Sequence, residues 1–184
     1  MKSVFTGPIY VVRDNIDTDQ IIPAQYLNLV PTIPEEYEKL GSYAHIGLPE
    51  SRYPIRFVAD GQLDTSYPIV VAGRNYGCGS SREHAPIALG SAGCRVIVAE
   101  SFARIFFRNC VATGELYPCE VTERLCDVLK TGDVVTVDLD AATVTVKNTG
   151  KVYQFKPLGD VRPVVDAGGL FNFARNSGMI TAQS

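Results

Sequence analysis

The sequence has no tryptophan, only two histidines, and no apolar run longer than a single strand. Its longest apolar runs, such as residues 69–72 and 96–99, fall far short of the ~20 residues of a membrane-spanning helix. Residues 1–12 have neither a charged segment followed by a long apolar stretch nor a small-residue cleavage site. We therefore expect no membrane association, and a soluble intracellular chain or the mature form of an imported one.

No two cysteines stand in the C-x-x-C spacing that marks many metal and redox sites. The five cysteines are Cys78, Cys94, Cys110, Cys119 and Cys126. An odd number without that spacing predicts buried or half-buried free thiols in a reducing compartment. With so few histidines as well, this chain is not expected to hold zinc or an iron–sulfur cluster by itself.

Length and charge are those of an ordinary globular protein. The 184 residues fit one domain spanning 1–184, and they suffice for a core without disulfide bonds. Hydrophobic residues make up 46% of the chain, charged residues 20%, and the net charge is −3. A mildly acidic chain is not expected to bind nucleic acid or an anionic membrane as its main partner.

The first part of the chain is rich in loops. A short strand is predicted at residues 9–13. Pro34 at a first helical position and Gly41 after the end predict a helix of two turns between them. Residues 42–66 show little periodicity, and we expect an irregular excursion there.

The middle of the chain is the most regular part. Continuous β-branched runs at 67–73 and 94–100 predict two buried strands. Helices are expected at about 85–92 and at 101–114, the second with Ser101 as its N-cap. This strand–helix–strand–helix order predicts a parallel βαβ core.

The last part changes to alternating patterns. Residues 133–139 and 142–148 predict a hairpin, another strand is expected at 152–158, and a final helix is expected to begin near Asp166. The whole chain therefore predicts one α/β domain with mixed sheets covered by helices.

One loop concentrates polar groups, since residues 73–90 read GRNYGCGSSREHAPIALG. A dinucleotide fingerprint would need a third glycine where Arg82 stands, and the Gly-Lys-Ser/Thr of a P-loop is absent. The G-x-S-x-G elbow of serine hydrolases is absent too. His84 is only three or four residues from the serines, so it is expected to pack along the helix start rather than serve as their base.

Two interpretations of this loop remain open from the residues alone. Ser80 to Glu83 fits the Ser-x-x-Glu capping box, which would make the loop a simple helix start. Alternatively, the amides of residues 79–82, the helix dipole and Arg82 form an anion site. In such a field a serine hydroxyl could act as a base toward a proton alpha to a carboxylate.

Three segments together resemble a known family. NYGCGSSREHA, SFARIFFRN and DNIDTDQIIPA are similar to the swivelling domain of the aconitase superfamily. Over nearly the whole length, the chain resembles the free-standing small subunits of its 3-isopropylmalate dehydratase branch. The resemblance implies a three-layer β/β/α swivelling domain, and a hydro-lyase of leucine biosynthesis that interconverts 2- and 3-isopropylmalate through 2-isopropylmaleate.

The resemblance also implies a division of labour between two chains. A separate large subunit would carry a [4Fe–4S] cluster on three cysteines, and this chain would bind no cofactor itself. The substrate would be a small hydroxy-dicarboxylate. The compartment would be the cytoplasm, or the plastid stroma if the source is a plant.

Roles carry over by motif. The resemblance implies that Ser80 is the base that removes the proton and that Ser81 supports the site by hydrogen bonding. It implies that Arg82 binds a substrate carboxylate, and that Asp19 is a buried acid that orders the active-site groups. Cys78 is expected to serve packing.

One departure from aconitases bears on specificity. Aconitases carry an arginine after the TD-x-I motif that grips a third carboxylate, but this chain has no arginine between Arg13 and Arg52. Leu27, Asn28 and Leu29 occupy the corresponding segment. An unpaired third carboxylate would cost several kcal/mol there, whereas an isopropyl group would bury roughly three carbons at about 0.8 kcal/mol each. We therefore expect the substrate to carry a branched apolar substituent where it meets this segment.

Three alternatives stay open at this stage. The chain could be the small subunit of a related hydro-lyase, homoaconitase or a dimethylmalate dehydratase. From a different class, it could be a self-sufficient anion-binding module without a partner. An independent serine hydrolase is the third.

Overall fold

A computed structural model describes residues 2–179 as a seven-stranded mixed sheet with helices. The strands are β1 (Val4–Val11), β2 (Ile69–Ala72), β3 (Val96–Ala99), β4 (Tyr117–Glu120), β5 (Val134–Asp138), β6 (Thr143–Val146) and β7 (Val152–Gln154). The helices are α1 (Thr18–Ile21), α2 (Pro34–Ser42), α3 (His84–Ala92), α4 (Arg104–Thr113), α5 (Leu125–Val128), α6 (Val161–Asp166) and α7 (Leu170–Asn176). A 3₁₀ turn covers Ala24–Tyr26.

Strand β1 joins two kinds of pairing in a sheet of order β4-β3-β2-β1-β5-β6-β7. Its first half pairs antiparallel with β5, and residues 9–11 pair parallel with β2. Strands β2, β3 and β4 continue in parallel, while β5, β6 and β7 are antiparallel. The predicted parallel βαβ core and the predicted hairpin are both confirmed.

The alternation of side chains along the parallel strands explains the layers. Val70 and Ile97 face the helices and share a buried cluster with residues of α3 and α4. Val71 and Val98 face the other way and pack in a second cluster with Val137 of the antiparallel strands. Helices therefore cover one face of the parallel strands and antiparallel strands cover the other. This is the expected three-layer β/β/α arrangement.

Some elements differ from the sequence predictions for identifiable reasons. Strand β4 was not predicted because it contains Pro118, which an edge strand tolerates. The prediction that Ser101 caps α4 is wrong: the helix begins at Arg104, and Ser101 Oγ accepts a hydrogen bond of 2.8 Å from the Asn75 amide. Ser101 therefore holds a loop rather than a helix. In residues 2–179 no helix is both long and apolar enough to cross a bilayer.

His45 is the buried polar centre of the irregular excursion. Its side chain is 1% exposed and packs against the rings of Tyr10, Phe57 and Tyr76. His45 Nε2 and the Tyr76 hydroxyl share a hydrogen bond of 2.9 Å, and Nδ1 has no partner. Burial, with the nearby Arg56 charge adding to it, lowers the pKa of His45 to about 3. The imidazole is therefore neutral near pH 7, and it joins the excursion to the polar loop after β2.

This depressed pKa predicts acid sensitivity. Below the ordinary histidine value of 6.5, the unfolded chain takes up a proton on His45 that the folded chain refuses until about pH 3. As the pH decreases through this window, the free energy of unfolding should therefore decrease, by up to about 1.4 kcal/mol per pH unit from this group. In His45→Asn the fall between about pH 7 and pH 5 should be shallower, as measured by urea denaturation.

Tyr76→Phe provides the matched control for this prediction. It removes the same hydrogen bond but keeps the titrating imidazole, so the dependence of stability on pH should remain close to that of the unsubstituted chain. Equal slopes for His45→Asn and Tyr76→Phe would contradict the assignment to His45.

Candidate active site

Two loops meet at the carboxyl ends of the parallel strands, because β1 and β2 are parallel neighbours whose carboxyl ends lie side by side. The roots of the loops are joined by hydrogen bonds. The Asn15 amide donates to the Arg74 carbonyl at 2.8 Å, and the Arg74 amide donates to Asp14 Oδ1 at 2.7 Å. Asn75 Nδ2 donates to Asn15 Oδ1 at 3.1 Å. The loops therefore leave the sheet as a fixed pair.

An ionic cluster supports these roots. Arg124 donates hydrogen bonds to Asp14 and Glu100, each at 2.7 Å, and to Asp127 at 3.0 Å. The hydrogen bonds from Arg124, followed by that from the Arg74 amide, lower the pKa of Asp14 to about 2. Asp14 therefore remains a carboxylate near neutral pH and keeps accepting from the second loop.

Thr18 joins the loops further out. Its backbone amide donates to the Cys78 carbonyl at 2.8 Å, and its Oγ1 donates to the Ser80 carbonyl at 3.0 Å. Thr18 is only 2% exposed. A capping box begins α1, in which Asp17 Oδ1 accepts from the Gln20 amide and Gln20 Oε1 accepts from the Asp17 amide. One short capped helix thus places Thr18 against the second loop.

Glycines give the second loop its sharp course. Gly77 and Gly79 have φ of +82° and +93°, a conformation that favours glycine. A Cβ atom on Gly77 would lie 2.2 Å from Cγ of Phe106, whereas a Cβ on Gly79 would meet its nearest atom, in Asp17, at 3.5 Å. The turn at Gly77 is thus both bent and tightly packed against α4.

The serines do not cap the helix that follows. Helix α3 begins only at His84, and the residue before it, Glu83, makes no side-chain capping bond. Of the two interpretations left open by the sequence, the capping box of Ser80 and Glu83 is therefore wrong. Ser80 and Ser81 are exposed, and among the backbone hydrogen bonds of residues 2–179 none is donated by the amide of Gly79, Ser80 or Ser81. The tip of the loop presents hydroxyls and amides to the outside.

Arg82 links this tip to α1. Its Nη1 donates to Asp19 Oδ1 and to the Ile22 carbonyl, the latter at 3.1 Å. The Arg82 side chain is 15% exposed, but that of Asp19 is 64% exposed. The expectation that Asp19 is a buried acid is therefore wrong for this chain by itself. Helix α1 buries Thr18 and leaves Asp19 on its outer face, where Asp19 orients the guanidinium.

The segment predicted to select the substrate lies beside the same loop. Leu27 and Leu29 are half-buried against the helix-side core, and Asn28 is exposed. His84 Nε2 donates a hydrogen bond of 3.1 Å to the Leu29 carbonyl. The structure thus brings together the DTDQI motif, the serine loop and the segment Leu27–Leu29.

The sequence interpretation missed the residues that hold these segments together, Thr18, Gln20 and His84. Asp17 and Gln20 have the D-x-x-Q spacing of a capping box, which would have predicted α1. The bonds of Thr18 and His84 join residues more than 50 positions apart. Sequence spacing contains no signal for such contacts.

The cysteines do not fit an iron–sulfur cluster. All five are free, four of them buried, as expected. Burial raises the pKa of Cys94 to about 12 and also raises that of Cys78, to which the Asp17 charge contributes. In the part of the chain that the structure describes, no three His, Cys, Asp or Glu side chains group closely enough to hold a metal ion.

Known proteins are similar to this chain over most of its length. The aconitase C-terminal domain family matches residues 11–123. The 3-isopropylmalate dehydratase small subunit 1 of Arabidopsis thaliana is 59% identical over 97% of this chain and 72% of that protein. The small subunit of Sulfurimonas denitrificans is 39% identical over 95% of this chain and 96% of that protein.

A solved structure is similar as well. The crystal structure of 3-isopropylmalate dehydratase (leuD) from Methanocaldococcus jannaschii superposes with a TM-score of 0.77. The two chains are 34% identical, and the match covers 96% of each.

The crowding at Gly77 predicts a difference between two glycines of one loop. Gly77→Ala should lower the free energy of unfolding by about 2–5 kcal/mol, because unfavourable φ and a clash with Phe106 add together. Gly79→Ala has a similar φ but an open surrounding, so its cost should stay near about 1–2 kcal/mol. Urea denaturation of both variants measures the difference, and equal losses would refute the packing argument.

Proposed function

The chain belongs to the aconitase C-terminal domain family, as a small subunit of the 3-isopropylmalate dehydratase type, and we propose that its paired loops form the substrate side of a dehydratase site. In this proposal the whole chain acts as one domain that a large subunit completes. The reaction interconverts 2- and 3-isopropylmalate through 2-isopropylmaleate. The cytoplasm, or the plastid stroma in a plant, is the proposed compartment.

One observation carries the proposal: an exposed serine and an oriented guanidinium occur together on a loop tip that no helix uses as its cap. Ser80 is exposed next to backbone amides that make no hydrogen bond among the described residues. Arg82 is held in place by Asp19 and by the Ile22 carbonyl. A structural helix start would need neither feature.

Ser80 is proposed as the base. Its Oγ, as an alkoxide, takes the proton from the carbon next to a substrate carboxylate. The electron pair of that C–H bond forms the C=C bond, and hydroxide leaves from the neighbouring carbon. Addition of water in the opposite sense, with the hydroxyl on the other carbon, gives the isomer. Amides and a guanidinium stabilise an alkoxide because all of them direct positive charge toward it.

Arg82 is proposed to bind a substrate carboxylate. Only its Nη1 is engaged by Asp19 and Ile22, so Nη2 and Nε have no partner among the described residues. A planar guanidinium can then donate two parallel hydrogen bonds to the carboxylate. Ser81, exposed beside Ser80, supports the same substrate by hydrogen bonding.

The large subunit is proposed as the bearer of a [4Fe–4S] cluster, since the cysteines of this chain do not fit one. Activation of the departing hydroxyl is assigned to that partner. This chain supplies the base, the carboxylate site and the segment that faces the alkyl group.

Substrate preference provides the test of the proposed function. The chain reconstituted with a cluster-bearing large subunit should dehydrate 3-isopropylmalate in preference to homocitrate, because Leu27 and Leu29 offer no cation to a third carboxylate. Asn28→Arg should shift the ratio of kcat/KM toward homocitrate by about tenfold or more, since Asn28 is exposed and an arginine there can pair with that carboxylate. Steady-state kinetics with both substrates measures the ratio.

Asn28→Gln is the matched control, because it changes size without adding charge, and its ratio should stay near that of the unsubstituted chain. Preference of the unsubstituted complex for homocitrate would contradict the proposed substrate. Tight dicarboxylate binding by this chain alone, with no association with a large subunit, would instead support an independent anion-binding module.

The role of Ser80 gives a separate prediction. Ser80→Ala should lower kcat by roughly 10²–10⁴-fold, as expected for the loss of a proton-transfer group. Assembly with the large subunit should be retained, because the only described contact at this residue that joins the loops is made by its backbone carbonyl. Size-exclusion chromatography checks assembly, and single-turnover kinetics checks chemistry. An assembled Ser80→Ala complex with normal turnover would remove Ser80 from the mechanism.

A further inference from the structure

The segment Leu27–Leu29 has a shape fixed by its own backbone. The Leu27 amide donates to the Ala24 carbonyl at 3.1 Å, and the Leu29 amide donates to the Tyr26 carbonyl at 3.2 Å. These bonds lie within the segment and the turn before it. They determine its curvature but not its distance from the serine loop.

Besides the packing of Leu27 and Leu29 against the helix-side core, two longer contacts hold the segment in position. The ring of Tyr26, the residue before the segment, stacks on Tyr43 with centroids 3.8 Å apart, which attaches that residue to the end of α2. At the other end, His84 Nε2 donates to the Leu29 carbonyl at 3.1 Å. Of these two contacts, only the bond from His84 connects the segment to the loop that carries Ser80 and Arg82.

The position of the His84 imidazole is fixed by the packed start of α3. His84 is half-buried at the first position of α3, and the next residues, Ala85 and Pro86, are buried in the core. The position of His84 relative to Ser80 is therefore set by a short stretch of chain that ends in a packed helix. A carbonyl can only accept, so Nε2 carries the hydrogen in this bond and is not available as a base.

We propose that His84 is a specificity-determining positioning residue: by holding the Leu29 carbonyl, it sets the distance between the alkyl-facing segment and the base-bearing loop. The inference rests on the proposed function. A substrate held by its carboxylate at Arg82 and by its reacting carbon at Ser80 reaches Leu27 and Leu29 with its alkyl group. The fit of that group then depends on where His84 keeps the segment.

The experiment compares two variants of similar size that differ in the donor. His84→Gln keeps an N–H that can reach the Leu29 carbonyl, and His84→Leu does not. Each is reconstituted with the cluster-bearing large subunit and assayed with 3-isopropylmalate and 3-methylmalate. Burial of two additional carbons is worth roughly tenfold in kcat/KM, which bounds the preference that can be lost.

We expect His84→Leu to lower the isopropyl-over-methyl ratio of kcat/KM by about fivefold or more, mainly through KM for 3-isopropylmalate. His84→Gln should retain most of the ratio. Glu83→Ala, an exposed neighbour whose side chain makes no capping bond, should leave the ratio unchanged. A merely structural role would lower the amount of active complex and reduce both rates equally, without changing their ratio.

An unchanged ratio in an assembled His84→Leu complex would overturn the inference, as would equal losses in His84→Leu and His84→Gln. If His84→Leu does not assemble, His84→Ala replaces it in the same comparison. Failure of the proposed function is distinguishable, because in that case the unsubstituted complex would dehydrate neither alkylmalate.

Discussion

The arrangement of this site depends on one buried threonine. Thr18 uses its amide and its hydroxyl to donate to two carbonyls of the other loop, those of Cys78 and Ser80. Each such bond contributes about 1 kcal/mol net, but leaving a buried carbonyl without its donor costs more. With the loops held at this spacing, Arg82 meets Asp19 and the serine tip stays on the outer side. The pairing of β1 with β2 places the starts of the two loops side by side, and the hydrogen bonds of Thr18 fix the position of one loop relative to the other.

Rigidity and exposure are distributed in opposite directions along the two loops. At the roots, Arg124 donates to three carboxylates, and the side chain of Asn75 donates to that of Asn15 across the two loops. At the tips, Ser80, Ser81 and Asp19 are exposed. The role proposed for Ser80 requires a group that is accessible and yet precisely oriented, and fixed roots with exposed tips are compatible with both requirements. The tightly packed turn at Gly77, against Phe106, lies between the fixed root of the second loop and its exposed tip.

Much of the fold could be predicted from sequence, because the buried strands are continuous β-branched runs and their connecting helices have clear ends. Strands β2 and β3 lie within the predicted ranges, and Gly114 ends α4 in the left-handed conformation. The errors have physical causes. Proline conceals β4, since only its place at the sheet edge makes it tolerable. The outward face of α1, and hence the exposure of Asp19, is decided by which side packs on the other loop.

The exposure of Ser80 in this chain bears on how it could act. In open water the field of a few amides and one guanidinium is strongly screened, so it changes the acidity of an alcohol little. Covering the loop tip with a second subunit would exclude water, and the same fixed dipoles would then act in a medium of low dielectric constant. Asp19 already engages one edge of Arg82, so the pair is nearly neutral until a substrate carboxylate adds its charge. The proposed base is thus expected to gain its reactivity only where substrate and partner are both present, which protects the isolated chain from unproductive chemistry.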